Sequence, residues 1–136
     1  MEVIGASLAG LPWFLAYFAT GAVMTLVYVF IYTWVTPHSE IALIRDGNQA
    51  AALAFGGSLV GFCLPLASAM AHSVALVDCV LWGVIALVIQ VVIFFVVRLP
   101  IPGISERIEK GDSASGLWLG ATSLAGGLLN AAAMTT

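Results

Sequence analysis

Charge is what this chain has least of. Its 136 residues include four Lys plus Arg and seven Asp plus Glu, 8% in all, for a net charge of −3. A soluble domain carries roughly 25% charged residues to cover its surface. Four basic side chains cannot form a stripe that tracks phosphates, so nucleic acid is excluded as a partner. Cysteine is nearly as scarce: Cys63 and Cys79 fall in or beside apolar runs and read as small hydrophobes, not as a disulfide or a metal pair. The two histidines, His38 and His72, fall on opposite sides of the membrane in the topology argued below and cannot share a metal. No Ser-His-Asp or Cys-His set can converge, and no Gly-rich loop follows a strand. The chain is therefore read as not an enzyme, with no catalytic residue, no cofactor and no metal ligand. No ionisable residue lies deep in an apolar run, which argues against a pump built on a buried carboxylate.

Long apolar runs are abundant. Hydrophobic residues make up 62% of the chain, and the mean hydropathy is +1.11. Residues 3–39, 47–77, 79–97 and 113–136 contain no Asp, Glu, Lys or Arg. Each run exceeds the roughly 18 residues that mark a transmembrane helix. The expected fold is an all-α membrane protein with spans at about 12–35, 48–70, 77–99 and 113–134. Barrel strands would alternate with period two over about ten residues, and these runs do not. No Lys or Arg precedes the first run, as a signal peptide's basic region would require, so that run is expected to be a retained span.

The chain is also written twice. Residues 47–70 align without a gap to residues 111–134, at an offset of 64. Gly47, Ala50, Leu53, Gly56, Leu64, Ala67, Ala69 and Met70 meet identical residues in the second copy. Two repeats of two spans each are expected, over 1–72 and 73–136. Arg45 lies between the first two spans, and Arg98, Arg107 and Lys110 lie between the last two. By the positive-inside rule both links face the cytoplasm and both termini the periplasm. The repeats then insert in the same sense, related by a pseudo-twofold axis along the membrane normal.

Both cytoplasmic links carry one pattern. In each, Ser-Glu (Ser39-Glu40 and Ser105-Glu106) follows a proline and reads as a helix N-cap with an acidic first turn. Gly47 and Gly111 read as the glycines that end each short helix. A capped connector is the plain reading. The sharper one is a docking surface formed by Glu40, Arg45, Glu106, Arg107 and Lys110.

The spans differ in kind. The first and third are bulky and suit lipid contact, whereas the second and fourth are rich in Gly, Ala and Ser and suit close packing at the centre. In the fourth, Ser113, Gly116, Gly120, Ser123, Gly127 and Asn130 recur at alternating steps of three and four. In the second, Ala50, Ala54, Gly57, Gly61, Pro65 and Ser68 form a seam. These seams are either helix packing or a narrow pathway lined by hydroxyls and backbone. Pro65 frees the Gly61 carbonyl and invites a kink; a freed carbonyl could coordinate a cation. Gln90, in the middle of the third span, is expected to hydrogen-bond to a neighbouring helix or across an oligomer interface. Thr20 and Thr25 can bond their own helix.

With these motifs in view the chain resembles the bacterial inner-membrane proteins of domain-of-unknown-function family 350. The resemblance is carried by the "TPH-E" stretch from Thr36 to Glu40, "AALAFGG" over 51–57, "ALVIQ" over 86–90 and "GGLLNAAAM" over 126–134. It implies a duplicated two-span unit in the bacterial inner membrane, without a known activity or functional residues. It also implies genes beside peptide-ligase-like enzymes and membrane-stress proteins, and hence a role in envelope maintenance. The expectation that follows is a homo-oligomeric, multi-pass inner-membrane protein in contact with lipid, with channel-like passage of a small solute or ion. The alternative is a structural anchor that recruits cytoplasmic or membrane-stress proteins through its two links.

Overall fold

The computed structural model describes residues 2–36 and 39–134, and among these residues every regular element is α-helical. Pro37 and His38, which carry the proline of the first link and one of the two histidines, lie outside the described residues. Seven helices follow in order: α1 (Glu2–Leu8), α2 (Leu11–Val35), α3 (Glu40–Arg45), α4 (Gln49–His72), α5 (Leu76–Val97), α6 (Ile104–Glu109) and α7 (Ser113–Met134). Four segments are long and apolar enough to cross a membrane: Glu2–Val35, Gln49–His72, Leu76–Val97 and Ser113–Met134. α4, with 24 residues, rises about 36 Å, enough for an apolar layer of about 30 Å.

The first span is expected to begin at about residue 12, and α1 precedes it. α1 buries none of its residues. Gly10, in right-handed helical geometry, and Pro12, in the first turn of α2, sit at the junction of the two helices.

The two links that carry the basic residues fold alike. Gly47 and Gly111 take φ of 86° and 85°, the left-handed geometry that ends a helix and that L side chains resist. The Asn48 amide donates to Leu43 O at 2.8 Å, and the Asp112 amide donates to Arg107 O at 2.9 Å. One expectation is corrected here. Ser39 holds the N-cap position of α3 without a side-chain bond, but Ser105 lies inside α6, whose N-cap is Gly103 at φ 68°. The left-handed Gly103 starts α6 earlier than the Ser-Glu pattern implied.

The core lies where α4 and α7 run side by side. Ala50 meets Gly116, Gly57 meets Gly120, and Gly61 meets Gly127, so residue numbers rise together and the two helices are parallel. α5 lies along both and buries Cys79, Gly83, Ala86, Gln90 and Phe94. It is therefore not a purely lipid-facing helix, contrary to its bulky composition. α2 flanks α4 through Tyr28 on Phe62 and Tyr32 on Phe55, with ring centroids 4.6 Å and 5.1 Å apart. The Met24 side chain meets Gly83 of α5.

The expected pseudo-twofold is also corrected. A twofold demands reciprocal contacts. The reciprocals of the three pairs above would be Ala52 with Ala114, Gly56 with Ala121, and Cys63 with Ala125. Instead Ala52, Ala114, Ala121 and Ala125 are exposed, and a β-carbon on Gly56 would meet nothing within 4 Å. One face of α4 meets a different face of α7.

Candidate functional site

The seam is closed. A β-carbon on Gly57 would meet the backbone of Gly120, and one on Gly116 the backbone of Ala50. One on Gly120 would meet the Leu53 carbonyl, and one on Gly127 the Gly61 carbonyl. A glycine hydrogen occupies each of those positions, so each of these α7 glycines points a Cα hydrogen at an α4 carbonyl or backbone. The Gly61 carbonyl, which Pro65 leaves without its helical donor, is covered by Gly127 and is not open to a cation. α4 runs on through Pro65 to His72 as one helix. Ser113 leaves the seam: it is exposed, at the first residue of α7.

Polar side chains collect beside the seam, not along it. Gln90 has no exposed surface, and its Nε2 donates to the Ser123 carbonyl at 2.9 Å. A β-carbon on Gly61 would lie 2.8 Å from that nitrogen and 2.6 Å from that carbonyl oxygen. The missing side chain at Gly61 is what admits the amide. One turn inward along α4 stands Ser58, fully buried. The hydroxyls of Tyr28 and Tyr32 both approach it. Tyr28 Oη, Tyr32 Oη, Ser58 Oγ, Gln90 Oε1 and Ser123 Oγ are all buried without a well-formed hydrogen bond.

Toward the α3 and α6 links the line reaches charge. Glu40 and Arg98 are close enough to Tyr32 to act on it electrostatically. Arg98 donates to Ser105 Oγ at 2.6 Å, and its guanidinium lies 5.2 Å from the Phe94 ring centroid. Toward the other end, Asn130 Nδ2 donates to Ala86 O at 3.4 Å. Ser68 Oγ donates to Ala131 O at 3.4 Å, and the His72 ring bonds to Ser68 O at 2.9 Å. A cavity of about 60 Å³ opens there, between His72, Ser73, Asp78 and Trp82, with room for a few waters.

Sequence reasoning picked out Gln90, Ser123 and Asn130 but missed Tyr28, Tyr32 and Ser58. The signal was present: Met24, Tyr28 and Tyr32 of α2 and Thr36 at its C-cap step by four, and all four are buried. The expected cytoplasmic docking set is divided. Arg45, Glu106, Arg107 and Lys110 are exposed, whereas Glu40 is 1% exposed and faces the core. Glu40 is therefore removed from any docking surface. Thr20 and Thr25 donate to Ala16 O and Gly21 O of their own helix. Among the described residues no group of three or more His, Cys, Asp or Glu could hold a metal ion.

The family model described as Domain of Unknown Function (DUF350) matches residues 6–134. The chain is similar to the UPF0719 inner membrane protein YjfL of Escherichia coli strain K12, with 45% identity over 135 residues, 99% of each chain. It is similar at the same level to the protein of that name in Escherichia coli O157:H7. The UPF0719 transmembrane protein YshE of Bacillus subtilis strain 168 is 24% identical over 103 residues, 74% of this chain and 77% of that one. No solved structure matches the chain significantly.

Proposed function

This multi-pass membrane protein belongs to the DUF350 family, and we propose that it is a homo-oligomeric inner-membrane protein that conducts protons or small cations through its own interior. The reading rests on one observation: five buried oxygens, on Tyr28, Tyr32, Ser58, Gln90 and Ser123, make no well-formed hydrogen bond, the first three lying only close to one another. Each such group in an apolar interior costs about 1–3 kcal/mol. Mobile water, or a proton passed along these oxygens, satisfies them in turn. Glu40, Arg98 and Tyr32 stand at one end of the line, and Asn130, Ser68 and the cavity at His72 and Asp78 at the other. The route lies beside the α4–α7 seam, whose backbone contacts leave no space for a solute. Absence of a carboxylate deep in a span favours passive conduction over pumping. In this reading the positive-inside rule, applied to the four basic residues, favours α3 and α6 on the cytoplasmic side and both termini in the periplasm.

The test is proton flux in liposomes under a potassium diffusion potential, read by an internal pH dye. The Ser58→Ala, Gln90→Leu double variant should lower the wild-type rate at least fivefold while keeping its helical content. Equal flux from both proteins, or none from either, favours the second reading. In that reading the chain is an anchor, and the exposed Arg45, Glu106, Arg107 and Lys110 on the two links recruit a cytoplasmic partner involved in envelope maintenance.

A further inference from the structure

The contact between the two halves of the chain is one-sided, and many residues of each buried face have an exposed or half-buried counterpart 64 residues away. On α5, Gln90 is 0% and Phe94 2% exposed; their counterparts on α2, Leu26 and Phe30, are 67% and 73% exposed. Cys79, Gly83 and Ala86 are buried, and their counterparts Leu15, Ala19 and Ala22 are exposed. On α4, Ala50, Ala54 and Gly61 are buried toward α7; their counterparts Ala114, Trp118 and Ala125 on α7 are exposed. On α7, Gly116, Gly120 and Gly127 are buried against α4; their counterparts are the exposed Ala52 and the half-buried Gly56 and Cys63.

A face-to-different-face contact consumes one face of each unit and leaves the other two free. Those free faces share the offset, and much of the small-residue chemistry, of the faces already joined. We propose that a second copy of this chain covers them: the outer face of α7 in one copy receives the outer face of α4 in the next. Copies then join head to tail in the membrane plane and close into a ring. The contact repeats between copies what α4 and α7 make within one.

The offset gives the pairing. Ala50 with Gly116 becomes Ala114 with Ala52 of the next copy. Gly57 with Gly120 becomes Ala121 with Gly56, and Gly61 with Gly127 becomes Ala125 with Cys63. All six are small, as close helix approach in lipid requires. Two parallel hairpins per chain, inserted in one sense, keep each new contact at the same depth.

Cysteine cross-linking in native membranes tests this, in a Cys79→Ala background. Ala125→Cys together with the native Cys63 should give a ladder of covalent multimers with a short bifunctional maleimide. Removing Cys63 (Cys63→Ala) should reduce the ladder at least tenfold. Two differently tagged chains, one keeping only Cys63 and one only Ala125→Cys, should cross-link to each other. Gly56→Leu adds a side chain whose β-carbon meets nothing within its own chain, so it should shift the assembly toward monomer while helical content is kept. Cross-linking of Ala125→Cys to itself without Cys63 would mean a twofold interface and overturn the proposal. A mass in mild detergent that is monomeric for the wild type, or unmoved by Gly56→Leu, would overturn it too.

Discussion

The backbone of Gly120 occupies the place that a β-carbon on Gly57 would need. This contact sets how closely α4 and α7 approach, and with it the shape of the bundle. It also separates two neighbouring glycines that the sequence presents alike, Gly56 and Gly57.

Gly57→Ala and Gly120→Ala should each destabilise the monomer by about 1–3 kcal/mol, since the added carbon meets backbone that cannot move aside. Gly56→Ala should be neutral or stabilising by up to about 1 kcal/mol, because its β-carbon meets open space and alanine is the better helix former. Unfolding in mixed micelles at dilutions that keep the chain monomeric, followed by tryptophan fluorescence, measures both. Equal losses at Gly56 and Gly57 would mean that α4 is rotated from the face described.

Asn48 ties the two links together. Its Oδ1 accepts from the Ala51 amide at 3.0 Å, capping α4, and its Nδ2 donates to the carbonyl of Ile108, the last buried residue of α6, at 2.8 Å. Asn48→Ala should cost about 1–2 kcal/mol and raise amide exchange in the first turn of α4. Asn48→Asp keeps the cap acceptor but loses the donor, so it should recover only part of the loss. Exchange rates identical to wild type in Asn48→Ala would show that the bridge contributes nothing.

Asp112 carries a pH dependence of known sign. The Ser115 hydroxyl, at 2.8 Å, is the main cause that holds its carboxyl below the usual range, with help from the Ala114 and Ser115 amides and Arg107. A carboxylate whose folded pKa is depressed stabilises the fold above its unfolded pKa and loses that effect as pH falls through the folded value. The melting-temperature gap between wild type and Asp112→Asn should therefore be steady from pH 7 to about pH 5 and shrink below about pH 4. A gap unchanged down to pH 3 would assign the role of Asp112 to something other than its charge.

How much of this was legible depends on the kind of force involved. The spans were legible, because insertion depends on the summed hydropathy of one segment and needs no knowledge of its neighbours. Gly47 and Gly111 were legible as helix ends, because a left-handed residue is a local demand. The break between α1 and α2 at residues 9–10 was not, because hydropathy alone does not distinguish a turn from a continued helix.

Which face meets which lay beyond the sequence. The small residues of α4 form two overlapping stripes, Ala50-Ala54-Gly57-Gly61 and Ala52-Gly56-Cys63, and both satisfy the rule that small residues let helices approach. Only the docked bundle selects the first stripe for α7 and leaves the second outside. The same docking buries Glu40, which on α3 alone reads as a solvated charge, and brings Tyr28, Tyr32 and Ser58 together from helices that share no sequence pattern. The sequence by itself determined that this protein lives in a bilayer and how many times it crosses, since those depend on transfer from water to lipid, residue by residue. The tertiary structure decided where its polar groups gather and which faces stay open, because in lipid that choice rests on backbone fit between helices, a property of pairs of surfaces.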